Sequence, residues 1–124
     1  MTDGNWTANR WNRLFAAIDA KDTDTFLSFL TEDAVFRFGS AAEAVGQDAI
    51  RDGVDGFFAS IAGSTHNIKK VIESDSTLVC EAEVTYQRHD GTELTLPFTN
   101  VFELDGELIA HYKIYIDIAP LYAG

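Results

Sequence analysis

Near His66 the spacing of apolar residues changes from about 3.6 to 2, and this change restricts the fold more than any other feature. Upstream, Trp11, Leu14, Phe15 and Ile18 fall on one face of a helix, with Asn5 or Thr7 as its cap. Asp22 and Thr23 open a short second helix carrying Phe26, Leu27, Phe29 and Leu30. Ala34–Phe38 reads as a short strand with Arg37 opposite Phe36 and Phe38, and residues 39–46 as a loop. Ile50, Val54, Phe57, Phe58 and Ile61 mark a third helix from Gln47 to about Ala62. Gly53 and Gly56 cost that helix roughly 1 kcal/mol each relative to alanine, and suggest a close approach to it.

Downstream every segment alternates. His66–Ser74 is a strand, Ser74–Asp75–Ser76 a turn, and Leu78, Cys80, Ala82, Val84 and Tyr86 form one apolar face of the next strand. Asp90–Gly91 and Asp105–Gly106 signal hairpins. Between them Leu94, Leu96, Phe98, Asn100, Phe102 and Leu104 share a face, and a last strand runs from Glu107 to Ile118 before Pro120. Helices first and then mostly antiparallel strands give an α+β domain, with helices covering one sheet face.

The chain is 124 residues long, the size of one domain spanning 1–124. Nine basic against twenty acidic residues leave a net charge of −11, evenly spread, which disfavours nucleic acid and anionic membrane surfaces as partners. There is no apolar run of ~20 residues to span a bilayer and no signal-peptide pattern at the start. With one cysteine, Cys80, the expectation is a soluble, reducing, cytoplasmic setting. Cys80 lies among the apolar positions of its strand and reads as a small buried side chain. His89 and His111 are scattered without ligand spacing, so no metal site is expected. Neither a phosphate-binding glycine loop nor G-x-S-x-G occurs.

Several runs carry a family resemblance: D-x-D-x-F-L-x-F-L-T-E-D-A-V-F at Asp22–Phe36, V-G-Q-D-A-I at Val45–Ile50 and T-H-N-I at Thr65–Ile68. L-P-F-T-N-V-F at Leu96–Phe102 and I-Y-I-D-I-A-P-L at Ile114–Leu121 complete the set. Together they resemble the nuclear transport factor 2-like (cystatin-like) superfamily, and within it the small SnoaL-like proteins. The resemblance implies a curved, mostly antiparallel sheet wrapped round a cone-shaped pocket and closed by three helices from the N-terminal half, often in a homodimer. Such folds host isomerases, dehydratases, cyclases, epoxide hydrolases and non-catalytic binders. Steroid isomerisation is rejected: Phe38 falls where that branch has its Asp base, Leu14 at its Tyr, and Asn100 at its second Asp.

Asn100 is the lone polar residue on an apolar face and requires a partner, structural or ligand. His66 shares strand parity with Ile68 and Ile72. It reads as a strand-end core residue or as a pocket acid/base, histidine being the side chain that titrates near neutrality. The resemblance implies a catalytic Asp on a late strand, which selects Asp117 as base or water-orienting group beside Tyr115. Parity offers the opposite placement: if Tyr112, Ile114, Ile116 and Ile118 face the pocket, Asp117 points outward. Tyr86 and Tyr115 are further polar anchors, Phe38 and Phe98 wall residues, and Trp11 either core or a substrate platform. Two functions are compatible with these residues. One is an acid/base enzyme needing no cofactor and acting on a small apolar molecule; the other is a non-catalytic ligand-binding or dimeric accessory module.

Overall fold

A computed structural model describes residues 6–122. Asn5, one of the two expected caps, lies outside them. Thr7 caps α1 (Ala8–Asp19), its Oγ1 accepting the backbone N–H of Arg10 at 3.2 Å. Asp22 caps α2 (Thr23–Leu27), its carboxylate accepting the Thr25 N–H at 3.2 Å and the Thr25 hydroxyl at 2.6 Å.

Then follow β1 (Leu30–Phe38), β2 (Ala44–Val45), α3 (Gln47–Ala59), β3 (Gly63–Ser74), β4 (Thr77–Gln87), β5 (Glu93–Asp105), β6 (Leu108–Tyr115) and α4 (Ala119–Tyr122). The strands form one curved six-stranded sheet in the order β2-β1-β6-β5-β4-β3. β1 pairs parallel to β6 and the other pairings are antiparallel. No helix among the described residues is long and apolar enough to cross a membrane.

Four local expectations are corrected. The segment expected as a loop turns at Gly39, where φ is +57°, and returns to pair Ala44 and Val45 with Phe36 and Val35. The last strand stops at Tyr115 rather than Ile118. Asp117 Oδ1 accepts the Ala119 N–H at 3.1 Å and starts α4, in which Pro120 has no N–H to extend a ladder. On β3, a bulge between Ile68 and Lys70 inverts the alternation. Ile72 therefore stands level with Val79 on the outer face, 49% exposed, and does not share the side of His66 and Ile68. Finally, nothing lies within 4 Å of a Cβ built at Gly53 or Gly56, so no element approaches α3 there.

The interior has two parts. At one end Trp11, 2% exposed, stacks on Phe102 with ring centroids 5.2 Å apart and meets Trp6 edge-on at 5.1 Å. This packed end leaves no room for a ligand at Trp11. Towards β1, α3 and the start of β3 the walls separate and enclose a cavity.

Candidate functional site

The cavity measures about 410 Å³, within the range of small-molecule sites. Its wall is sheet on one side and α1, α3 and the 40–42 segment on the other. The curvature of the sheet turns the inner faces of β4, β5 and β6 toward it. No Asp, Glu, Lys or Arg lines it, so the charge of −11 lies elsewhere.

Five predicted residues come together here: His66, Tyr86, Phe98, Asn100 and Phe38. Three do not. Trp11 is in the packed end, Tyr115 is 59% exposed, and Asp117 is exposed where it starts α4. The β6 parity explains the outcome for the last two. Tyr112, Ile114, Ile116 and Ile118 all line the cavity, which directs the intervening residues outward. Asp117 is thereby corrected from a catalytic candidate to a turn residue.

His66 has a carboxylate partner that the sequence reading passed over. Asp19, the last residue of α1, accepts from His66 Nδ1 at 2.5 Å, from the His66 backbone N–H at 3.2 Å and from the Ser64 hydroxyl at 2.7 Å. The ring is held flat against Phe15, with centroids 4.7 Å apart and planes 8° apart, and meets Phe98 edge-on at 5.6 Å. Asp19 does not line the cavity; it lies in a groove outside, with Asn12 and Asn67. His66 lines both the cavity and this groove, with Nδ1 engaged by Asp19. A carboxylate on Nδ1 requires that nitrogen to be the donor, which leaves Nε2 as acceptor in the neutral ring.

One signal could have revealed Asp19. A carboxylate in the last turn of a helix opposes the helix dipole, and α1 has no basic residue there to offset it. A residue misplaced by helix electrostatics is a reason to search for a tertiary partner.

Also on the cavity wall, Asn100 is 1% exposed and Tyr112 1% exposed. The cross-strand neighbours of Asn100 are Cys80 and Ile114, and its Oδ1 has no hydrogen-bond partner. Burial pushes the Tyr112 phenol well above its ordinary range, with Cys80 and Tyr86 adding to the effect and the Asn100 amide opposing it. Tyr86 is raised by burial as well, then by Tyr122 and Asp19, so both phenols stay protonated donors. Burial likewise raises the Cys80 thiol to about 12, which removes it as a nucleophile. Among the described residues no cluster of three or more His, Cys, Asp or Glu is arranged to hold a metal ion.

From α4, Tyr122 also lines the cavity. Arg88 donates to the carbonyls of Pro120 at 2.9 Å and Leu121 at 3.1 Å, and Tyr122 and Ser60 hydroxyls meet at 3.0 Å.

A family model described as SnoaL-like domain matches residues 11–112. No curated protein sequence matches the chain. Among solved structures, an NTF2-like protein of unknown function from Burkholderia pseudomallei superposes with a TM-score of 0.84 at 16% identity, covering 97% of this chain and 95% of its own. A candidate SnoaL-like polyketide cyclase from Jannaschia gives 0.77 at 16% identity, over 90% and 85%. An LEH-like epoxide hydrolase from M. tuberculosis gives 0.73 at 17%, over 87% and 80%. At these identities the likeness is one of fold.

Proposed function

Since the chain belongs to the SnoaL-like domain family, we propose that its cavity takes a small, neutral, largely apolar molecule and that His66 performs an acid/base step on it. The observation that supports this is His66, held through Nδ1 by Asp19 behind it, in a wall with no charged side chain. Asp19 fixes the tautomer and orientation of the ring, and Nε2 accepts a proton from the bound molecule. Tyr86 stands on β4 opposite Ser64, diagonally across from His66, and its protonated phenol is a donor to an oxygen that gains charge as the proton leaves. For a carbonyl compound, Nε2 removes the α-proton and the C–H electrons move to the carbonyl oxygen. The proton then returns to carbon or to a leaving oxygen. Cyclisation, isomerisation and dehydration share that first step.

The test is exchange at carbon. A neutral bicyclic ketone such as 2-tetralone is incubated with the protein in D2O, and loss of its α-proton signal is followed by NMR. The expected result is exchange above background that falls at least about 100-fold in His66→Ala, the scale of one general base. Equal exchange by the folded variant would contradict the reading.

The second reading, a non-catalytic receptacle, is favoured by the packing of the His66 ring between Phe15 and Phe98, which also suits a plain wall residue. It predicts binding without exchange. The homodimer stays with the proposal too, through the outer sheet face where Tyr115 is exposed; light scattering at micromolar concentration reads it directly.

A further inference from the structure

Three buried side-chain atoms of the described residues have no hydrogen-bond partner: Arg10 Nε, Trp11 Nε1 and Asn100 Oδ1. The first two lie away from the cavity, and the Arg10 guanidinium is already engaged through Nη2 with the Glu107 carbonyl at 2.9 Å. Asn100 alone is on the cavity wall, 1% exposed, so bulk water does not satisfy it.

The orphan is an acceptor. Its neighbours across the sheet, Cys80 and Ile114, offer at best a weak thiol donor, and no bond from Cys80 forms. Tyr112, 1% exposed, lines the same part of the cavity, with its phenol beside the Asn100 amide. This part of the wall therefore presents one unpartnered acceptor beside a phenol, with Phe26 and Phe36 packed round Tyr112 at 5.5 Å and 5.2 Å between ring centroids. A hydroxyl is a neutral group that donates to Oδ1 while keeping an oxygen able to accept from the neighbouring phenol. A carbonyl or an ether oxygen would leave Oδ1 unpaired. A carboxylate would do the same and add an unpaired charge among aromatic rings.

In register His66 is level with Val84 and Leu96 and Asn100 lies four residues further along β5, while the His66 ring reaches Phe98, two residues from Asn100, with centroids 5.6 Å apart.

We propose that the ligand of this cavity is a neutral molecule, mainly aromatic or alicyclic, that carries a hydroxyl group at the end received by Asn100 and Tyr112. This rests on the acid/base reading only for the role given to His66.

The test is a matched set of probes: 2-naphthol, 2-methoxynaphthalene and 2-naphthoate, titrated into the full chain near pH 7 and followed by calorimetry. The expected result is naphthol binding about tenfold more tightly than its methyl ether, with no detectable binding of the carboxylate. In Asn100→Leu, checked for folding by its melting temperature, the ether keeps its affinity and the tenfold preference disappears. Equal affinity of naphthol and ether for the wild-type protein overturns the hydroxyl assignment without any variant. Binding of the carboxylate overturns the requirement for neutrality. If no probe binds, the assignment falls together with the cavity as a binding site. Failure of the acid/base reading has a different signature: probes bind with the expected preference while His66→Ala leaves 2-tetralone exchange unchanged.

Discussion

Asp19 and His66 are 47 residues apart in the chain, yet the carboxylate closing α1 accepts both the ring Nδ1 and the backbone N–H of the histidine near the start of β3. The pair joins helix to sheet and orients the ring in the same contact. Replacing Asp19 by alanine removes the acceptor for three donors, the two on His66 and the Ser64 hydroxyl. A loss of about 2–3 kcal/mol is expected, measured as a fall in the denaturant midpoint without change in slope. Carbon-acid exchange should fall further than that loss accounts for, because the ring is also freed to rotate.

The buried phenols make stability sensitive to alkali. Tyr86 and Tyr112 keep their protons in the folded protein beyond the ordinary tyrosine range, mainly through burial. In the unfolded chain they ionise near 10, so above that pH the unfolded state binds fewer protons than the folded one. Their contribution is fully present below about pH 10 and is lost progressively as the pH rises. Denaturant titrations at pH 9, 10 and 11 should show a declining midpoint, and Tyr112→Phe should flatten the decline.

Gly56 sits exposed within α3 with nothing within 4 Å of a built Cβ. Gly56→Ala should raise stability by up to about 1 kcal/mol through helix propensity alone. A melting curve that does not move, or moves down, would show that the glycine has a role this packing does not reveal.

Asp117 should be dispensable for chemistry. Its carboxylate starts α4 by accepting the Ala119 N–H, and the cavity wall on β6 is built from the other parity. Asp117→Ala is expected to cost about 0.5–1 kcal/mol, as for loss of a helix cap, and to leave the exchange rate of a saturating ketone within twofold.

The long alternating strands made much of this site legible. On β4 and β5 one face is buried from Leu78 to Tyr86 and from Leu96 to Phe102, so Tyr86, Phe98 and Asn100 were readable as interior. On β6 two parities competed, because Tyr115 is as suited to an apolar face as Tyr112 is; the structure places Tyr112 inside. Ile72 misled because a bulge leaves no mark in hydrophobic spacing when both parities carry apolar residues, here Val71 and Ile72. Asp19 was not found because its partners lie on β3, and only its conflict with the helix dipole betrayed it. The cavity itself was beyond periodicity, which says which face is buried and not whether the helices close fully upon it.

The central claim is that His66 presents a bare, basic Nε2 to a molecule in the cavity while Asp19 holds the proton on Nδ1. Nitrogen-15 NMR of the histidine ring reads this directly over the pH range in which the ring is neutral, with and without 2-naphthol. The account predicts an Nδ1–H tautomer for His66, an unprotonated Nε2, and a shift of the Nε2 resonance on adding the ligand. An Nε2–H tautomer, or an Nε2 resonance indifferent to a ligand shown to bind, would contradict it.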